Sequence, residues 1–317
     1  MPFTWNQLSP FRRKPGQPPA AVAPSGETET AAGAGVQASG EQGSVPPLRL
    51  EVAVLTDPGC VRQNNEDSAY YTLPADDEAK QRKGVLVLVA DGMGGASAGE
   101  VASDMAVRSI PRSYYESPAA PPEALCAAME AANAEIFQAA QRDARRSGMG
   151  TTCVALAVWG ANSYIAWVGD SRAYLIRDGQ ICQLTEDHSL VYDMVKRGLL
   201  SRQDARNHED RNVLSRSLGG KPRVEVSGWS HPMSIREGDR FVLCSDGVHD
   251  LLTDEEILAA AGAGRPYEAV RAVVDRAKAG GGYDNITAAV AEVRLQETGE
   301  PAVEEVRATR EISVALE

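Results

Sequence analysis

Short runs of apolar residues recur between residues 50 and 293, and their lengths and spacing predict β-strands. Some runs are apolar at nearly every position, which is typical of strands that are covered on both faces. The predicted strands are residues 50–55, 68–73, 85–90, 151–158, 164–168, 173–176, 181–184, 224–229, 240–244 and 286–293. The dipeptide Asp178-Gly179 separates two of them and favours a two-residue type I′ turn, so we expect an antiparallel hairpin there.

Helices are predicted for residues 100–110, 122–146, 254–261 and 266–278. In the second of these, apolar residues recur at intervals of three to four and form one face, which carries Leu125, Met129, Ala132, Ile136 and Ala140. Because the strands occur in bunches that two helical blocks separate, the pattern favours an α+β fold over βαβ winding. We expect helices packed on the outer faces of antiparallel sheets.

The two ends of the chain differ in composition from the patterned region. Residues 1–48 are rich in Ala, Gly, Pro, Gln and Ser, and so few large apolar residues cannot offset the entropy of ordering the segment. We therefore predict a disordered arm over residues 1–48, one domain over residues 49–295, and an acidic flexible tail over residues 296–317.

The chain is acidic, with a formal net charge of -12 and a pI near 5.0. A nucleic-acid partner is disfavoured, because phosphate backbones bind surfaces of clustered Lys and Arg. No stretch reaches the ~18 apolar residues of a membrane helix, and the basic N-terminus does not lead into the apolar run of a signal peptide. We expect a cytoplasmic protein without a membrane partner.

Cysteine usage points to a reduced compartment, because the number is odd and no CxxC pair or metal-ligand spacing occurs. Cys153 and Cys244 lie inside apolar runs and are expected to be small buried residues rather than nucleophiles. The full set is Cys60, Cys126, Cys153, Cys182 and Cys244.

Carboxylates recur where predicted strands begin or end. A carboxylate beside a buried strand is costly unless it is paired or bound to a cation, and a shared cation would explain several at once. Oxygen ligands suit Mg²⁺ or Mn²⁺, and the lack of clustered His and Cys argues against zinc. Each short motif alone is ordinary turn chemistry, since Asp and Gly favour turns. The candidate ligands are Glu66, Asp67, Asp91, Asp170, Asp246 and Asp284.

The order of the motifs is informative where the single motifs are not. The chain contains Arg62-x-x-x-Glu66-Asp67, Asp91-Gly92-Met93-Gly94-Gly95, Gly148-x-Gly150-Thr151-Thr152, Gly169-Asp170-Ser171-Arg172, Leu184-Thr185-x-Asp187-His188-Ser189, Leu214-Ser215-Arg216-Ser217-Leu218-Gly219, Ser245-Asp246-Gly247 and Asp284-Asn285-Ile286-Thr287. In this order they resemble the protein phosphatase 2C family of metal-dependent serine/threonine phosphatases, in particular its stand-alone bacterial members. The resemblance covers residues 50–293 and implies a four-layer sandwich of two antiparallel sheets flanked by helix pairs.

The resemblance also implies two tightly bound Mn²⁺ or Mg²⁺ ions. Asp91 would bridge them, and Asp246 and Asp284 would complete the first site. Glu66 and the backbone carbonyl of Gly92 would hold the second ion, where the missing side chain of Gly92 lets a backbone oxygen approach.

Further roles follow from the same resemblance. Asp67 would bind metal-bound water beside the second ion, and Asp170 would share a weaker third ion with Asp246. Arg62 would grip the phosphate, a task that suits the fixed donor fork of a guanidinium better than a lysine.

Two-metal chemistry then suggests the mechanism. Cations about 4 Å apart lower the pKa of a bridging water, so that hydroxide attacks phosphorus in line with the leaving serine or threonine oxygen. No phosphoenzyme intermediate is required. Arg62, Asp91 and Asp246 are the expected catalytic residues, since they stabilise the charge of the transition state or hold the ions.

The general acid stays open. Eukaryotic family members have a histidine where this chain has Met93, and many bacterial members have one where this chain has Ala96. His188 and His249 lie near motifs, but a structural role is favoured for each. A metal-bound water could instead protonate the leaving group.

Two other interpretations remain. A family member that serves only as a binding module would be expected to lack metal carboxylates, and a two-metal nuclease or phosphodiesterase is disfavoured by the acidic composition and the motif order. Expected partners are phosphorylated proteins and an opposing serine/threonine kinase, and the chain is expected to be a monomer. Residues 187–211 match the mobile flap of bacterial members, which is compatible with a pair of surface helices.

Overall fold

Two antiparallel sheets form the centre of the computed structural model, which describes residues 48–72, 78–94 and 98–295. The strands are β1 (Leu48–Asp57), β2 (Asp67–Thr72), β3 (Val85–Met93), β4 (Gly150–Thr151), β5 (Cys153–Trp159), β6 (Asn162–Val168), β7 (Arg172–Arg177), β8 (Gln180–Gln183), β9 (Ser227–Gly228), β10 (Met233–Ser234), β11 (Arg240–Cys244) and β12 (Ile286–Leu295). The first sheet has the order β1-β12-β11-β7-β8. The second has the order β10-β6-β5-β3-β2, with β4 beside β3 and β9 beside β6.

Helices cover the outer face of each sheet. The α-helices in the described residues are α1 (Glu78–Lys83), α2 (Ala98–Glu116), α3 (Pro121–Arg142), α4 (Leu190–Lys196), α5 (Arg202–Ala205), α6 (Asp246–His249), α7 (Asp254–Ala261) and α8 (Pro266–Ala279). Helices α2 and α3 pack on the second sheet, α7 and α8 pack on the first, and the two sheets contact each other. The α+β class and the four-layer sandwich are confirmed.

Alternation along the central strands builds three apolar layers. Leu86 and Leu88 of β3 point toward α2 and α3, whereas Val87 points to the opposite face. In β11, Val242 faces α7 and α8, and Phe241 faces the other way. Because both faces are buried, these strands are apolar at almost every position, as the sequence pattern indicated.

Helix α2 is longer than predicted at both ends and continues through Pro111. A proline inside a helix removes one backbone hydrogen bond and usually ends the helix. Here the extra turn is anchored, because the hydroxyls of Tyr114 and Tyr115 donate to the carbonyl oxygens of Lys83 and Gly84, both at 2.9 Å.

Helix α3 ends earlier than predicted, and a 3₁₀ turn (Ala144–Arg146) follows it. Asp143 adopts an extended conformation and its carboxylate accepts a hydrogen bond from the Arg145 amide at 3.0 Å. This cap ends the α-helix, since aspartate competes for local backbone donors.

Two predicted strands also differ. The strand expected at residues 151–158 divides into β4 and β5 at Thr152, whose amide donates to the Asp91 carbonyl at 2.8 Å and whose hydroxyl accepts from the Asp91 amide. The strand expected at residues 224–229 is reduced to β9, because Val224 and Val226 pack against the helical core instead of pairing in the sheet.

The hairpin at Asp178-Gly179 is confirmed. Both residues have positive φ angles, 53° and 71°, and Arg177 pairs with Gln180 across the turn. Cys153 and Cys244 are buried as expected, and the five cysteines are free thiols.

The expected arm and tail lie outside the described residues, apart from Leu48, which begins β1. Their predicted flexibility and the proposed domain bounds stay predictions. In the described ranges, no helix has both the length and the apolar composition that a membrane span requires.

Candidate metal centre

Strand pairing brings two of the predicted carboxylates together. Asp67 begins β2 and lies directly opposite Asp91 near the end of β3. Asp67 is buried and accepts a hydrogen bond from the Ser245 hydroxyl at 2.8 Å. Burial raises the pKa of Asp67 to about 6. Burial, with the charges of Asp67, Asp246 and Asp170 beside it, raises the pKa of Asp91 well above its usual range.

Two further carboxylates interact with Asp91. Asp246 is the first residue of α6, two residues after the end of β11, and Asp170 lies in the turn from β6 of the second sheet to β7 of the first. Burial, and then the charges of Asp250 and Asp284, raises the pKa of Asp246 to about 7. Burial and the charge of Asp246 raise the pKa of Asp170 well above its ordinary value. The fold therefore concentrates acidic groups that repel one another.

Glu66 and Gly92 approach each other through backbone contact. The Gly92 amide donates to the Glu66 carbonyl at 3.2 Å. A Cβ on Gly92 would lie 2.2 Å from the Gly99 carbonyl oxygen and 2.5 Å from that of Glu66. Glycine is thus required at position 92 because the chain packs against α2, a reason that the sequence did not reveal.

Gly99 was missed by the sequence argument. A Cβ on Gly99 would lie 2.5 Å from Oε2 of Glu66 and 2.8 Å from the carbonyl oxygen of Gly92. Both oxygens therefore face one small space beside the start of α2, where a side chain cannot fit. Gly99 directly precedes the helix predicted at residues 100–110, where glycine is an ordinary capping residue, so no signal in the sequence indicated this contact.

The loop that carries Arg62 and Glu66 is fastened to the loop before β12. The Asn285 side chain donates to the carbonyl oxygens of Pro58 and Asn64, at 3.1 and 2.8 Å, and accepts from the Glu66 amide at 2.8 Å. Asn285 also escaped the list of predicted site residues, although its motif was noted.

Arg62 lies beside Asp284 at the rim of the site. Its guanidinium donates to Asp284 Oδ2 at 2.8 Å, and the Arg62 side chain is 57% exposed. Charge interactions link the predicted carboxylates with one another, and Arg62 joins them through Asp284. Met93 is half-buried near them, and Ala96 lies outside the described residues.

His188 is engaged on both ring nitrogens. Nδ1 accepts from the Gly169 amide at 3.1 Å, and Nε2 contacts the Ser227 hydroxyl at 2.9 Å. Burial, and then the charge of Arg216, lowers the pKa of His188 to about 4, so the ring is neutral near pH 7. These contacts support the structural role that the sequence favoured.

His249 is buried at the end of α6. Its Nε2 donates to the backbone carbonyl of Asp170 at 3.0 Å, so α6 both carries Asp246 and holds the Asp170 turn. A cavity of about 170 Å³ lies between this region and the segment with α4 and α5, and Asp170, His249 and Arg211 are among its lining residues. Two short surface helices occur in residues 187–211, as expected.

The donor chemistry fits a hard divalent cation. Carboxylate and carbonyl oxygens dominate the cluster, and mutual repulsion of carboxylates is relieved when a cation binds. Within the ranges that the structure describes, no three Asp, Glu, His or Cys side chains converge as a ready-made metal cage. That is compatible with Mg²⁺ or Mn²⁺, which keep several water ligands and use few protein carboxylates.

The chain is similar to known proteins in sequence and in fold. The family model for protein phosphatase 2C matches residues 69–279. The serine/threonine protein phosphatase PstP of Mycobacterium tuberculosis is 37% identical over 247 residues, which are 78% of this chain and 45% of PstP. The chain thus matches about half the length of PstP. The serine/threonine phosphatase stp of Listeria innocua is 37% identical over 253 residues, with 78% of this chain and 97% of stp covered.

A solved structure agrees with these matches. The catalytic domain of PstP in complex with two manganese ions superposes with a TM-score of 0.67 at 34% identity, covering 78% of this chain and 99% of that domain. The chain belongs to the protein phosphatase 2C family.

Proposed function

We propose that this protein is a metal-dependent phosphatase that hydrolyses phosphoserine and phosphothreonine in proteins. The observation that carries the proposal is the group of buried or half-buried aspartates, Asp67, Asp91, Asp170 and Asp246, in which Asp67 lies opposite Asp91 across two paired strands and the charges raise one another's pKa values. A fold maintains such repulsion at a cost in stability, which a bound cation removes. Family membership supports the same conclusion.

The proposed ligands divide between two tight sites. Asp91 would contact both ions, Asp246 and Asp284 would complete one site, and Glu66 with the Gly92 carbonyl would complete the other. The approach of Glu66 Oε2 and the Gly92 oxygen to one point supports the second set. When bound, the ions acidify the attacking water and neutralise phosphate charge, so that hydrolysis needs no phosphoenzyme.

Two more carboxylates have supporting roles in the proposal. Asp67 would hold ordered water, and the hydrogen bond from Ser245 keeps its carboxylate in place. Asp170 would share a weaker third cation with Asp246, whose charge acts strongly on it.

Arg62 would bind the phosphate of the substrate. Its guanidinium already pairs with a carboxylate oxygen at the rim, and its exposure leaves it accessible to a phosphoprotein. A guanidinium can replace one anionic oxygen by another without losing its fork of donors. We expect Arg62 to exchange Asp284 for phosphate when substrate binds.

Histidine does not supply the proton for the leaving oxygen in this proposal. His188 is neutral and occupied on both nitrogens, and burial lowers the pKa of His249 well below its usual value. Water in the open site is therefore the proposed proton donor. The partners would be phosphorylated proteins and the serine/threonine kinase that opposes the enzyme.

The test is release of phosphate from a phosphothreonine peptide with and without Mn²⁺, beside bis(p-nitrophenyl) phosphate as a diester. We expect Mn²⁺-dependent hydrolysis of the peptide and little cleavage of the diester. Cleavage of the diester alone would instead favour a phosphodiesterase and overturn the proposal.

A further inference from the structure

Two exposed apolar side chains flank the Arg62–Asp284 ion pair. Val61 is 63% exposed and Tyr283 is 65% exposed, and each is the chain neighbour of one member of that pair. A single exposed apolar residue is ordinary on protein surfaces. Two of them beside the proposed phosphate contact are a candidate surface for the substrate.

Backbone contacts fix the spacing of the loops that carry them. The Cys60 amide donates to the Gly282 carbonyl at 2.8 Å. Gly59 has a φ of +79°, and a Cβ there would lie 2.1 Å from the Asp284 carbonyl oxygen. The two loops, residues 59–62 and 281–284, therefore touch main chain to main chain and form one platform, which carries both Val61 and Tyr283.

The ring of Tyr283 is supported from below. It lies over the backbone of Gly281, where a Cβ would be 2.4 Å from the ring atom Cζ. Gly281 has a φ of +131°, which also favours glycine at this position. A ring that is held before binding loses little conformational entropy when a ligand covers it.

Two charged side chains near the platform already form ion pairs with carboxylates. Arg62 pairs with Asp284 at 2.8 Å, and Lys278 pairs with Asp57 at 2.7 Å. An incoming charged side chain would compete with these pairs and lose its own hydration. An apolar side chain gains from burial against Val61 and the Tyr283 ring and needs no charged partner there, also when the substrate phosphate has replaced Asp284 at Arg62.

We infer that Val61 and Tyr283 form a specificity subsite for an apolar side chain of the substrate, within two residues of the phosphorylated serine or threonine. The inference rests on the proposed function, because it places the phosphate at the neighbouring Arg62. An extended chain advances about 3.3–3.6 Å per residue, so only nearby substrate residues reach this platform.

The experiment measures kcat/KM with Mn²⁺ for three phosphothreonine peptides. One has glycine at the two positions on each side, one has leucines on the N-terminal side, and one has leucines on the C-terminal side. For the wild type we expect one leucine peptide to exceed the glycine peptide by about tenfold, because apolar contacts discriminate by roughly this factor.

Substitutions of Tyr283, with a control at another exposed tyrosine, test whether the subsite causes this preference for leucine. Tyr283→Ala should reduce the leucine-to-glycine ratio to near one, whereas Tyr283→Phe should keep it. The control is Tyr267→Ala, which removes another exposed tyrosine, 44% exposed, in the first turn of α8. A general folding defect would lower both peptides equally and leave the ratio unchanged.

The outcomes separate this inference from the proposed function. If the wild type hydrolyses all three peptides equally, or if Tyr283→Ala keeps the preference, the subsite is wrong and the phosphatase proposal stands. If no peptide releases phosphate, the proposed function fails and the subsite fails with it. A preference that Tyr283→Ala abolishes and Tyr267→Ala preserves supports the subsite.

Discussion

Buried aspartates occur in two regions of the molecule with opposite surroundings. Asp239 is 1% exposed and accepts two hydrogen bonds from the buried guanidinium of Arg177, at 2.6 and 2.5 Å. At the other region, the strongest charge effects on Asp91 come from Asp67, Asp246 and Asp170. The chain supplies a cation for Asp239, whereas we propose that a bound metal cation balances the acidic cluster. Burial alone therefore does not mark a functional carboxylate, but burial among other carboxylates does.

The largest expected effect comes from removing the positive charge that pairs with Asp239. Arg177→Met would leave Asp239 buried with its charge uncompensated, so we expect the free energy of unfolding to fall by about 3–5 kcal/mol. Chemical denaturation of the metal-free protein measures this loss. The fraction that remains folded should still bind Mn²⁺ like the wild type. A loss below ~1 kcal/mol would show that the ion pair does not account for the burial of Asp239.

The second effect concerns activity. Asp91→Asn should lower phosphate release by more than about a hundredfold, because even outer-shell partners of a metal cost about 10- to 100-fold. Asp104→Asn is the control, since Asp104 is a partly exposed residue that pairs with Arg108 on α2. Circular dichroism should show both variants folded. Activity of Asp91→Asn within a few-fold of the wild type would exclude Asp91 from the mechanism.

Asp170→Ala should have a smaller effect, about tenfold on turnover, with the two tight ions retained. The substitution preserves the backbone carbonyl that accepts from His249, so the turn should hold its conformation. Mn²⁺ titration, thermal melting and turnover on a phosphothreonine peptide are measured together. A lowered melting temperature with normal turnover at low temperature would instead assign Asp170 a purely structural role.

The smallest expected effect is a change with pH in the free energy of unfolding of the metal-free protein. The folded-state pKa of Asp91 is raised, so the folded wild type binds more protons than the unfolded chain above the unfolded pKa of about 4. Stability of the wild type is therefore lost as pH rises toward the folded pKa. The amide side chain that Asp91→Asn introduces does not titrate, and contributions from His188 and His249 cancel in the comparison. The stability of Asp91→Asn relative to the wild type should therefore rise as pH increases from 5 to 7; a constant difference in denaturation experiments would contradict this.

Local patterns predicted most of the fold. Runs of apolar residues predicted the central strands, and Asp178-Gly179 predicted a hairpin, because each of these signals lies within a few residues of the sequence. The strand expected at residues 224–229 failed because its apolar residues serve the helical core, which no local pattern distinguishes. Helix α2 passed Pro111 because tyrosine contacts with residues 31 positions earlier stabilise its last turn.

The sequence predicted which residues would form the candidate site, but it did not predict the contacts that hold them in place. Motif order predicted the carboxylates, whereas the hydrogen bonds of Asn285 join residues 219 to 227 positions apart. The packing of Gly92 against Gly99 is likewise a tertiary contact. Such contacts depend on how the sheets meet, so the sequence could name Gly92 without revealing why a side chain is excluded there.

Calorimetric titration of Mn²⁺ into the metal-free protein tests the central claim most directly, namely that the acidic cluster is balanced by bound cations. The wild type should bind two ions tightly, and Asp91→Asn should lose tight binding while Asp104→Asn retains it. Tight binding of two ions that Asp91→Asn leaves unchanged would contradict the account.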